Sequence, residues 1–114
     1  MSGTAGIKTV LHPVADVEKA KGVYAALLGV EPSADSKYYV GFDVEGQHIG
    51  LVPGGDMSSP VSYWHVDDIE AKLAEVTAAG ATVKEAPRDV ANGRLVATFT
   101  DVDGNVLGLI QDPH

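Results

Sequence analysis

Histidines and tyrosines are the side chains of this sequence whose types and spacing could do chemistry. There are four of each and no cysteine, which excludes disulfides, thiolate metal sites and a cysteine nucleophile. Imidazole exchanges protons near neutral pH, and both imidazole and phenol form hydrogen bonds with ligands. Acid–base chemistry, ligand recognition and an atypical histidine metal site are therefore the candidate activities, provided that the fold brings these side chains to one surface.

Side-chain alternation predicts the direction of two of these groups in a strand at residues 61–66. Tyr63 and His65 fall on the face that points away from the helices, where we expect a ligand cavity, whereas Trp64 falls on the face that packs against the helices. We therefore predict Tyr63 and His65 as ligand-binding residues and Trp64 as a core residue. A hydrogen-bonded His65 without any chemistry stays open as the alternative.

A second strand, predicted at residues 48–52, places His48 on the same face as Gly50. We predict His48 as a ligand-binding residue, with a partly buried, inert histidine as the alternative. Alternation sends only one of Tyr38 and Tyr39 inward, and the pattern does not choose between them. We include Tyr39 among the ligand-binding candidates.

The first strand, predicted at residues 7–14, places Thr9 and Leu11 on the cavity face. His12 falls on the opposite face, so we interpret it as a packed or edge histidine. The terminal His114 is expected to be disordered.

Two helices are predicted where apolar residues recur at helical spacing between a capping residue and a glycine. The first follows Asp16 and ends at Gly29, and the second follows Asp68 and ends at Gly80. Asp67 and Asp68 together resemble a carboxylate pair for acid–base work. Capping explains Asp68, and the positive end of the helix tolerates both, so we prefer the structural interpretation.

The remaining segments are predicted as short strands joined by tight turns. Glu45-Gly46 suits the two-residue turn of a hairpin. Arg88 and Arg94 flank a predicted turn at residues 89–93, where we interpret them as solvated side chains rather than as clamps for an anion. The further strands are predicted at residues 38–44, 81–85, 94–100 and 105–111.

An internal repeat is the strongest pattern in the sequence. Residues 14–18, VADVE, match residues 66–70, VDDIE, and residues 43–51, DVEGQHIGL, match residues 101–109, DVDGNVLGL. Within the second match only His48, opposite Val106, changes chemical class. Each repeat predicts one helix packed on a small sheet, and such a unit alone would bury too little surface to be stable.

Three segments resemble the vicinal oxygen chelate superfamily, which contains glyoxalase I, bleomycin-resistance proteins and extradiol dioxygenases. They are HPVADVEKAKGVYAALLG at residues 12–29, YWHVDDIEAKLAEVTAAGA at 63–81 and DVDGNVLGLIQ at 101–111. The resemblance implies an α+β fold of two βαβββ modules whose curved mixed sheets enclose a cavity, often in a homodimer. It assigns residues 1–114 to a single glyoxalase/bleomycin-resistance-like domain, with module one at about 5–53, a linker at 54–60 and module two at about 61–112.

The resemblance also implies where metal-dependent members hold their metal. The first ligand of each module falls at Thr9 and Val61, and the later carboxylate falls at Gly50 and Gly108. None of the four offers the imidazole or carboxylate that a divalent metal prefers. We therefore predict no metal ligand and no cofactor, and we expect both glycines to enlarge the ligand pocket.

Composition limits the partners. The net charge is −8, and the basic residues are not clustered as phosphate binding requires. Neither a membrane-spanning run nor a signal peptide is recognisable, so we expect a cytoplasmic protein without nucleic-acid or membrane partners.

The leading hypothesis is a small-molecule-binding protein that takes up an aromatic or amphipathic metabolite or drug, as a homodimer and without the usual metal centre. The first alternative is an enzyme of the same superfamily: a metal-dependent lyase, isomerase or dioxygenase with an atypical site at His48 and His65, or a lyase or isomerase that uses acid–base chemistry without a metal. The second is a non-catalytic assembly domain. The sequence assigns no catalytic residue and does not decide whether the protein is an enzyme.

Overall fold

The computed structural model describes residues 3–54 and 59–113. Residues 55–58 of the predicted linker and His114 lie outside the described residues. Within the described ranges the chain forms eight strands and two helices, a mixed α+β architecture as predicted. They are β1 Ile7–Val14, α1 Val17–Leu28, β2 Ala34–Asp35, β3 Val40–Val44, β4 Gln47–Pro53, β5 Val61–His65, α2 Ile69–Ala78, β6 Thr82–Ala91, β7 Arg94–Thr100 and β8 Val106–Gln111.

The chain divides into two compact units. The N-terminal unit comprises residues 8–62, and the C-terminal unit comprises the described residues from 63 onward together with those before Lys8. Neither helix within residues 3–54 and 59–113 has the length and apolar character needed to cross a membrane.

The sheet of the N-terminal unit has the strand order β2-β3-β4-β1. β3 and β4 form an antiparallel hairpin, and β4 runs parallel to β1. Glu45 and Gly46, at φ 50° and 78°, form the turn of the hairpin, which is the tight two-residue connection that the sequence predicts. The turn fixes the register of the hairpin, so that Asp43 lies opposite His48.

Helix α1 packs on one face of this sheet. It begins at Asp16, whose carboxylate accepts a hydrogen bond from the Lys19 amide at 3.1 Å, and it ends at Gly29 in the left-handed conformation. Both capping predictions are therefore confirmed. Val40, Phe42 and Leu51 lie fully buried on the helix side, and burial of such a side chain stabilises the fold by about 1.5–3 kcal/mol.

The opposite face of this sheet, which we call the helix-distal face of the N-terminal unit, carries the residues that alternate with the core. Leu11 and Gly41 both pair with Gly50, and His48 lies two residues before Gly50 on β4. This face therefore holds His48, one of the two histidines predicted to bind a ligand.

The C-terminal unit repeats the arrangement with the strand order β5-β8-β7-β6. β5 runs parallel to β8, and the other neighbours are antiparallel. Asp68 caps α2 by accepting a hydrogen bond from the Ala71 amide at 3.0 Å. The core under α2 is formed by buried apolar side chains with Trp64 packed against them: Val66, Ile69, Leu73, Ala97, Phe99 and Leu109.

Trp64 is thus a core residue, as predicted. The face of this sheet that points away from α2 is the helix-distal face of the C-terminal unit. It carries Tyr63 and Thr98, which both pair with Gly108, and Ile110, which pairs with His65. All three of Tyr63, Thr98 and Ile110 are buried.

Two strand predictions are wrong in their extent. Strand β6 reaches Ala91 instead of residue 85, and the turn consists of Asn92 and Gly93 alone, at φ 53° and 89°. Pairing with β7 holds the strand together through three register shifts, although Pro87 lies within it. Pairing between strands overrides the weak local strand propensity of this segment.

Strand β3 begins at Val40 rather than at residue 38, because the hydroxyl oxygen of Ser36 accepts hydrogen bonds from the amides of Tyr38 and Tyr39. The backbone before the strand is thereby held in a turn. The two-residue strand β2 has no counterpart in the sequence-based prediction.

Candidate functional site

A chain of hydrogen bonds joins three side chains on the helix-distal face of the N-terminal unit. The Tyr39 hydroxyl lies 2.5 Å from Nε2 of His48, and Nδ1 of His48 lies 2.8 Å from Oδ1 of Asp43. The Ser33 hydroxyl donates to the other carboxylate oxygen of Asp43 at 2.5 Å. Asp43 is thus held on both oxygens while it orients the imidazole.

The chemistry of the partners fixes the direction of these hydrogen bonds. An ionised carboxylate only accepts, so Nδ1 of His48 donates to Asp43. In the neutral imidazole Nε2 then has a free lone pair, which accepts the proton of the Tyr39 hydroxyl. The arrangement can therefore draw a proton away from the phenol.

Two glycines make room for the Tyr39–His48 pair. Gly41 and Gly50 lie opposite each other on β3 and β4. A Cβ atom on Gly41 would lie within 3.0 Å of the His48 ring, and one on Gly50 would lie within 3 Å of Tyr39. The two rings lie nearly parallel, at 12° and with centroids 6.0 Å apart. From the sequence we expect Gly50 to leave empty space for a ligand. Instead, Gly41 and Gly50 give their space to the aromatic pair of Tyr39 and His48.

Gly108 has the same role in the C-terminal unit. A Cβ atom there would approach three ring atoms of Tyr63 to less than 3 Å. Burial raises the pKa of Tyr63, the nearby charge of Glu85 raises it further, and Arg88 lowers it. The Tyr63 phenol is therefore kept in its neutral, proton-donating form.

Charged and polar side chains lie to one side of Tyr63 on this face. The Thr98 hydroxyl donates a hydrogen bond to Oε1 of Glu85 at 3.2 Å. Glu85 pairs with Thr98, and Arg88 pairs with Val96, so both lie along the outer strand of the sheet. An apolar floor with polar groups at one side results.

His65 belongs to a second polar cluster on the same unit. Its Nδ1 lies 3.2 Å from Oδ2 of Asp112, and Arg94 bonds to Oδ1 of Asp112 through Nε at 2.8 Å and through a terminal nitrogen at 2.7 Å. Partial burial raises the pKa of Asp112. The hydrogen bond and charge of Arg94, joined by those of His65, outweigh that effect and hold the pKa below its ordinary value of 3.8.

The structure thus brings His48 and Tyr39 together in one unit, and Tyr63 and His65 onto one strand of the other. His12 lies on the helix side, with its ring centroid 5.2 Å from that of Tyr24, and burial lowers its pKa. Tyr38 is 74% exposed, with the Lys37 ammonium 5.2 Å above its ring.

Three residues of the candidate site are not predicted from the sequence: Asp43, Glu85 and Asp112. The signal for Asp43 is the turn at Glu45-Gly46, because a two-residue hairpin turn sets residue 43 opposite residue 48. Glu85 lies on a strand that was predicted to end there, and Asp112 follows the last predicted strand, so neither carries a comparable signal.

A surface depression of about 300 Å³ lies elsewhere on the C-terminal unit. It is lined by Gly3, Thr4, Ala5, Val66 and Asp67. The segment beside it is anchored where the Ala5 amide donates to the His65 carbonyl at 2.9 Å. Its lining residues include none of the predicted ligand-binding residues.

The donor set does not fit the metal of the metal-dependent relatives. At the four implied positions only Thr9 carries an oxygen, and Tyr39 and Tyr63 fill the space where side chains at Gly50 and Gly108 would stand. Across residues 3–54 and 59–113 no three His, Cys, Asp or Glu side chains are grouped to hold a metal ion. A divalent cation requires several such donors that converge on one point.

Solved structures share this fold. A hypothetical protein from Bacillus halodurans has a TM-score of 0.78 at 15% identity, with 95% of this chain and 94% of that chain covered. The Mn(II)-bound glyoxalase from Novosphingobium aromaticivorans has a TM-score of 0.77 at 24% identity, with 98% of this chain and 40% of that chain covered. The methylmalonyl-CoA epimerase from Mycobacterium tuberculosis has a TM-score of 0.75 at 18% identity, with 100% and 94% covered.

At these identities the likeness concerns the fold alone. No curated protein sequence matches the chain. The sequence itself matches the family model of the Glyoxalase/Bleomycin resistance protein/Dioxygenase superfamily over residues 6–109. The match spans the repeat, both helices and the strands that carry the candidate residues, and the chain belongs to this superfamily.

Proposed function

We propose that this protein binds a small aromatic or amphipathic molecule on its helix-distal faces, without the metal centre of its metal-dependent relatives. One observation carries the proposal: glycine occupies both carboxylate-ligand positions, and a tyrosine ring from the same unit fills the space above each glycine. The space that a metal ligand would need is thus given to an aromatic surface. Aromatic walls with few polar groups suit flat, largely apolar ligands.

The charges around Tyr63 favour a ligand with little net charge. The negative charge of Glu85 and the positive charge of Arg88 both act on Tyr63 and balance each other, although the whole chain carries −8. In the neighbouring cluster of His65, Asp112 and Arg94 balance in the same way. Arg94 is already paired with Asp112 at 2.7 Å. A molecule with an apolar body and both donor and acceptor ends would match this face better than a strong anion.

Within this proposal, Tyr63 and Tyr39 provide aromatic contact, and His65 orients the ligand by a hydrogen bond. Both ring nitrogens of His48 are engaged by Tyr39 and Asp43, so His48 contributes the exposed edge of its ring. The side chains of His48 and His65 are 24% and 15% exposed, so each presents an edge that a ligand can reach. Gly50 and Gly108 serve indirectly, by seating the aromatic rings.

We also propose a cytoplasmic homodimer without nucleic-acid or membrane partners. Val23 and Leu27, four residues apart on one face of α1, are 67% and 75% exposed. Within this proposal, these two side chains form part of the contact with the second copy. Light scattering of the purified protein at several concentrations tests this part, and a mass of one chain throughout would contradict it.

The test of binding is a thermal-shift screen of the full chain after dialysis against a chelator, with aromatic and amphipathic compounds and without metal. A ligand at 100 times its Kd should raise the stability of the native state by ~2.7 kcal/mol. Thr98→Val alters the face beside Tyr63 at nearly constant volume, and Thr77→Val makes the same change on the exposed side of α2. We expect that only Thr98→Val lowers the affinity of the protein for a ligand found in the screen.

The other two hypotheses give different results. Stoichiometric metal in the purified protein, with a melting temperature that falls on chelation, would favour the metal-dependent enzyme. No hit from a broad library, with or without Mn²⁺, Ni²⁺, Zn²⁺ and Fe²⁺, would favour the assembly domain.

A further inference from the structure

We propose that Tyr39 is an activated nucleophile which takes an acyl group from an activated aryl ester, with His48 as its base and Asp43 as the residue that positions this base. The proposal goes beyond ligand binding, because it assigns a covalent reaction to one side chain. It concerns the N-terminal unit alone.

The order of the three groups is that of an activated nucleophile. The nucleophile must lie within hydrogen-bond distance of a base, no more than about 3.2 Å, and a third group must orient the base. Here Oη of Tyr39 lies 2.5 Å from Nε2 of His48, and Nδ1 of His48 lies 2.8 Å from Asp43. Unrelated folds use the same order with serine or cysteine as the nucleophile, and the order is recognised by geometry and role.

The backbone is adapted to this pair. Gly41 and Gly50 face each other in the register of the hairpin, and a Cβ on either would collide with Tyr39 or His48. Glycine within a strand weakens it unless another group needs the room. Since both positions are glycine, the strands give up stability to seat these two rings.

The Tyr39–His48 pair is partly exposed. The His48 side chain is 24% exposed, and Tyr39 is half-buried. The nucleophile is therefore neither locked in the core nor fully solvated.

The reaction balances without a co-reactant other than water. Oη of Tyr39 attacks the ester carbonyl carbon while its proton passes to Nε2 of His48. The bond from the carbonyl carbon to the aryl oxygen then breaks, and the aryl product leaves with that proton, which returns His48 to its neutral form. Water next gives a proton to His48 and attacks the carbonyl carbon of the acyl-tyrosine. The bond from that carbon to Oη of Tyr39 breaks, His48 returns the proton to the Tyr39 oxygen, and the carboxylic acid is released.

The chain supplies its own comparison. Tyr38 is the adjacent residue and far more exposed, and its ring lies under the Lys37 ammonium rather than beside an imidazole. Tyr63 is buried, and its raised pKa disfavours the phenolate. If exposure alone decided the reactivity towards acylation, Tyr38 would react fastest. If His48 activates Tyr39, Tyr39 reacts fastest.

The experiment treats the full chain with 4-nitrophenyl acetate and follows both 4-nitrophenolate release and the acetylated residue by peptide mass spectrometry. We expect acetyl on Tyr39 to form faster than on Tyr38. His48→Gln should slow it by about 10²-fold, the usual contribution of a general base. Tyr39→Phe should remove it, and Tyr38→Phe and His12→Gln should leave it unchanged.

Asp43→Asn tests the positioning residue by a pH profile. An amide can donate to Nδ1, which would turn the acceptor lone pair of His48 away from Tyr39. Acetylation of Tyr39 should then become slow at neutral pH and recover only where the phenol ionises unaided, while Asp43→Glu should restore the original profile. A purely structural loss would lower the rate at every pH.

Equal acetylation of Tyr38 and Tyr39 in the unaltered chain would overturn the proposal, and this comparison needs no variant to fold. Unchanged acetylation of Tyr39 in a folded His48→Gln variant would do the same. The proposed binding function is tested separately, because ligand-induced thermal shifts do not depend on acylation.

Discussion

The ring of Tyr63 lies directly over Gly108. These residues are neighbours in the parallel pair β5–β8, and the positions closest to a Cβ on Gly108 include the ring carbon attached to the Tyr63 Cβ. That carbon cannot move away by ring rotation, because it lies on the rotation axis. The pair therefore fixes both the height of the ring above the sheet and the identity of residue 108.

Gly108→Ala should accordingly destabilise the protein by about 1–3 kcal/mol, the usual cost of overpacking a well-packed site. Urea denaturation measures this change in the free energy of unfolding. Gly22→Ala is the matched control, since Gly22 lies in α1 and a Cβ added there would meet no heavy atom of the described residues within 4 Å. It should stabilise the protein by about 0.5–1 kcal/mol, and a loss of equal size in both variants would contradict the account.

The buried phenol of Tyr63 should make stability depend on alkaline pH. Its pKa in the folded state lies above the ordinary value of 10.0, so above that pH the unfolded chain releases this proton while the folded chain still holds it. Stability must then fall as the pH rises through this window. Urea midpoints from about pH 8 to 11 should fall less steeply in Tyr63→Phe than in Tyr38→Phe; parallel curves would count against a buried Tyr63.

Arg94 should support stability through Asp112 at neutral pH and lose this effect at acid pH. The pKa of Asp112 is lowered in the folded state, so its contribution is present above the ordinary value of 3.8 and is lost as the pH falls through the folded-state pKa. Arg94→Gln should reduce that loss and lower the free energy of unfolding at neutral pH by less than about 1 kcal/mol, because both groups are partly exposed. Arg88→Gln makes the same change outside this ion pair, and identical acid profiles for the two variants would argue against the pairing.

Of the two carboxylates before α2, only Asp68 should contribute to stability, because it caps the helix, whereas Asp67 is solvated. Asp68→Ala removes the acceptor of the Ala71 amide and should cost about 1 kcal/mol. Asp68→Asn keeps an acceptor and should cost less, and Asp67→Ala should be nearly neutral because Asp67 is exposed. Thermal or urea unfolding of the three variants measures these differences, and a larger loss for Asp67→Ala would reverse the assignment.

Local signals explain which parts of the fold could be predicted. Strands β1 and β7 have the predicted bounds, and Asp16 and Asp68 cap the predicted helices, because alternation and capping are properties of a few adjacent residues. Strand β6 could not be predicted to its full length. Its charged residues and Pro87 indicate a loop, and only pairing with β7 makes it a strand.

The candidate site, too, could be predicted from the sequence only in part. Strand parity correctly places His48 on the face of Gly50 and His12 on the helix side. Parity cannot reveal which partner orients a histidine, so Asp43 and Asp112 went unrecognised. It also cannot show that Tyr39 and Tyr63 occupy the space above the glycines, because that depends on side-chain direction rather than on sequence spacing.

The irregular course of β6 has a consequence for the protein at high concentration. β6 is the last strand of its sheet, where a regular backbone would offer unpaired amides and carbonyls to a strand of another molecule. Its register shifts interrupt that row, Pro87 lacks an amide proton, and Lys84 and Arg88 place charge along it. The edge of β6 is thereby a poor template for an intermolecular β-ladder.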